Sequence, residues 1–353
     1  MNQTNYLKIV SIALFLVFGA ISCWATAESL HLLLASWPKI FCYLVAIGFF
    51  IVASIGTKLI VDSLNQKIYV ESRTAKLIGG ILLVLVFWLF ASMPTNTHTF
   101  IYRNVINERV NNDIATTQSY LTDIIQNKSE KERVAKLIRD RKDKVNDIHE
   151  RLNAEIRQPN NPGNGPQTDL ILTELTDLNP NYRIHPIAFQ GSSLQQQQKA
   201  IAYYNEQFEA IDRRIEKDYY DQIKSPNKSD LKKATDAIKN LDILRANIEE
   251  GEIDLNSAED MEKIVVNQIN NGYQAVNLNK DFVSFRTDED EQRYSSTPII
   301  TETKRMTSIF DVWGDFMAGK FGGHGFVWWI MLAILVDLAA FIFFDLAFKK
   351  RDE

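Results

Sequence analysis

Apolar positions in this chain are gathered into four runs, at residues 9–27, 40–61, 77–93 and 326–348. The last reads FVWWIMLAILVDLAAFIFFDLAF, with Asp337 near its middle and Asp345 near its end as its only ionisable side chains. At about 1.5 Å per residue, runs of this length match a hydrocarbon core of about 30 Å. Four transmembrane helices are predicted. Lys58 sits near the end of the second run, where its long stem can carry the ammonium to the headgroups. Pro94 is expected to mark the exit of the third. The first run also has features of a signal peptide, with Lys8 before it and Ala25-Thr26-Ala27 after it. Its length and Trp24 favour an uncleaved span.

Between the third and fourth runs the pattern changes to helical periodicity with a charged face. From Phe100 to about Gln158, apolar residues recur every three, four or seven positions, with a break expected at Asn127-Lys128-Ser129. Residues 159–166, PNNPGNGP, are a breaker. Residues 168–191 lack a clear period and are expected to be irregular, with a short strand. Ser193 and Gln196 form a capping-box pattern. Behind it, Ile201, Tyr204, Phe208, Ile211 and Ile215 step as a heptad seam, and Leu241 and Leu244 belong to a second seam. Residues 193–224 and 229–250 are therefore predicted to form an antiparallel, partly coiled-coil hairpin. Ser257 and Asp260 open a further helix to about Gly272, and the acidic stretch 277–300 is expected to be a loop or frayed. Residues 306–321 predict an amphipathic helix lying on the membrane surface, with Ile309, Phe310, Val312, Trp313, Phe316 and Met317 on one face.

The fold class expected is thus all-α: a polytopic membrane protein with an extracytoplasmic helical domain, 95–305, inserted between spans three and four. Charge supplies the orientation. Lys8, the 58–76 region and the basic tail 349–353 share one side, so both termini are expected in the cytoplasm and residues 95–322 outside it. Trp313, Trp328 and Trp329 fall at the outer interface as anchors. Residues 96–320 hold 30 of the 39 Lys and Arg and 37 of the 44 Asp and Glu. That mildly acidic balance argues against a nucleic-acid partner.

Candidate chemistry is sparse. Cys23 and Cys42, the only cysteines, lie in apolar runs, and two small buried side chains are a better reading than a bridge. The five histidines show no metal-ligand spacing, and the acidic clusters do not match a calcium loop. No cofactor or metal is expected, and no catalytic motif is present. Gly322-Gly323-His324-Gly325 reads as a hinge. Asp337 stands apart. A carboxylate at mid-bilayer costs about 2.5–3.5 kcal/mol on insertion scales, so it faces protein or water. Ala333 and Ala340 share its face and leave room for another helix, and Ser54, Thr57 and Lys58 on span two are its expected partners.

Four segments carry a resemblance: Ser92-Met93-Pro94, Phe100-Ile101-Tyr102, Ile106-Asn107-Glu108-Arg109 and the final run with Asp337. In these the plan resembles an uncharacterised bacterial family of four-span membrane proteins with a large helical insert between spans three and four. That resemblance implies an envelope location and lends no activity. The sequence as a whole points to a non-enzymatic integral membrane protein of the cell envelope, whose helical domain binds a protein partner or a second copy. The alternative is an oligomeric membrane effector or ion channel using Asp337.

Overall fold

The computed structural model describes residues 3–66, 69–158, 166–187, 193–320 and 325–348. The breaker at 159–165, the glycines and histidine at 322–324 and the basic tail lie outside the described residues. In chain order the helices are α1 (Gln3–Leu33), α2 (Lys39–Leu64), α3 (Arg73–Phe87), α4 (Met93–Gln126), α5 (Lys128–Ile156), α6 (Pro166–Leu178) and α7 (Leu194–Tyr220). They continue with α8 (Lys228–Glu249), α9 (Ala258–Asp260), α10 (Val266–Leu278), α11 (Asp288–Ser295), α12 (Glu302–Met306), α13 (Ile309–Met317) and α14 (Phe326–Phe348). No strand occurs among the described residues, so the all-helical expectation holds. Four helices are long and apolar enough to cross a membrane: α1, α2, the helix that begins at Arg73, and α14.

The third of these does not end at Pro94. A turn of π-helix, Trp88–Ser92, joins α3 to α4, and helix runs without a gap from Arg73 to Gln126. A proline inside an α-helix lacks an N–H and its ring collides with the carbonyl four residues back. The wider π turn just before it relieves that collision, and the Met93 N–H bonds back to the Trp88 carbonyl. The Thr95 hydroxyl adds bonds to the carbonyls of Ala91 (2.6 Å) and Ser92 (3.1 Å).

The chain divides into two compact units. One comprises residues 1–121, 233–278 and 285–353 and holds all four apolar helices. In it α1 pairs with α14 and α2 with α3. The α2–α3 approach depends on two glycines. A Cβ on Gly80 would lie 2.7 Å from the Gly56 carbonyl oxygen, and one on Gly56 would lie 3.0 Å from the Leu83 Cβ. The polar helices of the same unit share a core around α4. Gly272 of α10 presses on Thr117 of α4 and Leu241 of α8. Tyr273 and Tyr294 stack with centroids 4.0 Å apart. Within 277–300, expected as loop or frayed, residues 288–295 are helix: Thr287 caps α11, the acidic run forms its first turn, and Tyr294 is fully buried. Acidic side chains there suit the positive end of the helix dipole.

The other unit comprises residues 122–232 and 279–284. The expected break falls near its start, where Asn127 takes a left-handed conformation (φ 52°). Its core joins Val134, Ile138, Val145, Ile148 and Leu152 of α5 to Ile171, Leu172 and Leu175 of α6 and to Tyr204, Phe208, Ile211 and Ile215 of α7. Residues 166–178 are a helix rather than irregular chain, because Thr168, Ile171, Leu172 and Leu175 share one buried face. The 193–250 hairpin is not formed as predicted. Tyr204, Phe208 and Ile211 are buried, with Ile201 partly buried beside them, but their partners are α5 and α6. Leu241 and Leu244 are buried in the first unit. A heptad seam specifies which face is buried and not what covers it. The Ser193–Gln196 capping box is present in both directions.

Candidate functional site

A seam of polar side chains runs between α1 and the α3–α4 helix. On α1, Ser22, Thr26 and Ser29 are spaced four and three apart; opposite them stand Ser92, Thr95, Asn96 and Thr99. These spacings place each set on one helix face. All seven are buried. Each level is bridged. Thr26 donates to Asn96 Oδ1 (3.1 Å) and bonds with Thr95 (3.0 Å), and the Thr99 hydroxyl donates to the Ala25 carbonyl (2.6 Å). The Ser29 hydroxyl meets His98 Nδ1 at 2.7 Å, while His98 Nε2 meets the Met306 carbonyl at 3.0 Å. A carbonyl only accepts, so Nε2 carries the proton and Nδ1 accepts from Ser29.

Asp337 closes the inner end of this seam. Its Oδ1 accepts from Ser22 Oγ (2.8 Å) and Asn96 Nδ2 (3.2 Å), and its Oδ2 from Ser92 Oγ (2.7 Å). Asn96 Nδ2 also lies 3.0 Å from both serine oxygens. The carboxyl is 1% exposed, and Ala333 and Ala340 are buried on the same face of α14. Their small size lets α1 approach, as the residue spacing predicted for a facing helix. The partner differs from the expectation. Ser54 and Thr57 of α2 donate to carbonyls of their own helix, and Lys58 is exposed. Asp337 draws its donors from α1, from the end of the π turn and from the first turn of α4.

The other end of α1 carries a charged cluster. Glu28 is buried, 2.6 Å from Lys39 and 3.4 Å from Arg103, and the Arg103 guanidinium lies over the Trp24 ring at 5.0 Å. Further along α4, outside the apolar runs, Asp113 is buried and accepts from Tyr273 (2.6 Å) and from the Thr303 backbone (2.9 Å) and hydroxyl (2.7 Å). Burial pushes its carboxyl above the usual range, opposed by those hydrogen bonds.

Comparison with protein-family models, curated proteins and solved structures found no match. The seam therefore rests on its own geometry. Among the described residues no group of His, Cys, Asp and Glu is arranged to hold a metal ion, and Cys23 and Cys42 are free thiols. Trp313 packs edge-on to Phe326 (5.3 Å) and donates to the Pro94 carbonyl (3.3 Å). Trp329 packs near Phe100 (6.3 Å), and Trp328 is exposed. The amphipathic stretch is divided: Ile309 and Val312 are buried, whereas Phe310 and Met317 are 77% and 78% exposed. Sequence reasoning singled out Asp337 and missed Ser22, Ser92 and Asn96. Their signal was present as small polar residues at three- and four-residue spacing in two helices.

Proposed function

We propose that this is a non-enzymatic integral membrane protein whose polar helices engage a protein partner, or a second copy, and report that contact to the membrane helices. One observation carries the reading. The helix from Arg73 lines the membrane bundle through Gly80, Phe87 and Ser92, and then lends Asp113, Thr117 and Tyr120 to the core of the polar helices. A load on that core acts on the same helix that bonds Asp337. The pairing of Phe100 with Trp329, eight residues along each helix from Ser92 and Asp337, supports a bilayer that extends to the level of His98. On this reading the TNTHT stretch, 95–99, is polar lining inside the span. The basic loop residues and Lys8 support a reading with both termini in the cytoplasm and the polar helices outside.

Cross-linking of the full chain in its native membrane tests the proposal. A defined adduct to one partner or to a second copy, through residues of 122–320, is expected. Diffuse labelling of abundant neighbours, with a monomer in mild detergent, would sink it. The second reading, an oligomeric channel with Asp337 on the path, needs the α1–α4–α14 contacts to open, because the carboxyl is enclosed within one chain. Ion flux from liposomes that is abolished by Asp337→Asn would favour that reading.

A further inference from the structure

The hydrogen bonds around Asp337 are all made by neutral groups. Its neighbours within bonding distance are two hydroxyls and one amide, and no ion pair to it occurs among the described residues. We propose that Asp337, Ser22, Ser92 and Asn96 form an intramembrane proton-binding site, in which the carboxylate takes up and releases a proton and the serine hydroxyls turn to match.

Three features support it. An ionised carboxylate without a cation is costly in an apolar interior, and a proton removes that cost. Two of the donors are reversible: an N–H cannot accept the acid's O–H, whereas a hydroxyl donates to a carboxylate and accepts from a carboxylic acid. Ser22 Oγ lies 2.8 Å from Asp337 Oδ1, and Ser92 Oγ lies 3.2 Å from Ser22 Oγ, so one rotation can be answered by the other. A larger cation has no place here, because Asn96 Nδ2 fills the centre, 3.0–3.2 Å from three oxygens. A proton needs no cavity.

The site is also placed to be felt. Ser92 is the last residue of the π turn, so its hydroxyl state bears on the one irregular turn of the Arg73–Gln126 helix. Other titratable groups on the packed helices are accounted for. Cys23 of α1, next to Ser22, has its thiol 3.9 Å from the Ala46 carbonyl of α2. On α2, Cys42 is buried and Lys58 is exposed. His98 of α4 is held by Ser29 and Met306, and Asp345 is eight residues, about 12 Å, along α14.

The test is infrared difference spectroscopy of the full-length protein in lipid nanodiscs, titrated from about pH 4 to about pH 10, the range that spans acid and base side chains. A carboxylic C=O band should lose intensity as pH rises and be absent from Asp337→Asn. Asp337→Glu should move the band without abolishing it, which secures the assignment even where the Asn variant folds poorly. Ser92→Ala removes a donor to the ionised form and should shift the transition to higher pH by about one unit. No band at any pH, or a band that does not change with pH, would overturn the proposal. So would a transition that Ser92→Ala leaves in place.

Discussion

Ser92 and Asp337, 245 positions apart in the chain, meet through a 2.7 Å hydrogen bond from the serine hydroxyl to the carboxylate. That contact joins the end of the π turn to the middle of α14. It makes the acid part of the helix bundle's interior rather than a group facing lipid. The seam above it is continuous in level with it, from Thr26–Asn96 through Thr99–Ala25 to Ser29–His98.

Gly80 is predicted to tolerate no larger side chain. Its Cβ position is 2.7 Å from a backbone oxygen, which cannot rotate away. Gly80→Leu should separate α2 from α3 and lower the apparent Tm in detergent by several degrees. Gly79→Leu, at a position with nothing within 4 Å, is the control and should leave Tm unchanged. Overpacking of this kind costs typically 1–3 kcal/mol.

Phe208 stacks on His149 with centroids 4.2 Å apart in the core of α5, α6 and α7. Phe208→Asp buries an unpaired charge, which costs several kcal/mol. Limited proteolysis should then cut within 122–232 while the apolar helices and α8 stay intact. Resistance equal to the parent's would show that the α7 face is not buried.

Both outcomes bear on how much could be read from the sequence. The four apolar runs were legible because length and hydropathy alone decide whether a helix suits a bilayer. The break at Asn127 and the cap at Ser193 were legible because each is set by local backbone chemistry. Partners were not legible. Phe208 and Leu241 sit on equally regular seams, yet one packs on α5 and the other beside Gly272. Pro94 misled because its missing N–H ends most helices, and here a π turn accommodates it. The burial of Asn96 and His98 was not legible, since composition does not distinguish a polar residue facing water from one facing a polar seam.

Glu130 supplies a pH dependence in the second unit. The Arg133 side chain, bonded to it at 2.6 and 2.8 Å, and the Lys224 backbone N–H hold its carboxyl down at about 2. A carboxyl held lower when folded than when unfolded stabilises the fold above its unfolded value, and that contribution is lost as pH falls towards 2. Glu130→Gln should therefore weaken the unit near neutral pH and flatten its loss of stability in acid. A wild-type slope retained in Glu130→Gln would assign the acid sensitivity elsewhere.

Orientation is tested by fusions. A reporter active only outside the cytoplasm should be active when inserted after Gly191 and inactive when fused after Glu353. The reverse pattern would overturn the charge argument and the placement of the polar helices.

The most direct test of the account is a double-mutant cycle on the seam itself. Ser92→Ala, Asp337→Leu and the double variant are compared with the parent by reversible unfolding in mixed micelles at neutral pH. Side chains in contact couple by about 0.5–3 kcal/mol, whereas distant ones add within about 0.5 kcal/mol. The account predicts coupling of about 1 kcal/mol or more between Ser92 and Asp337. Strict additivity would mean that the two residues do not meet, and that Asp337 is not held by the seam.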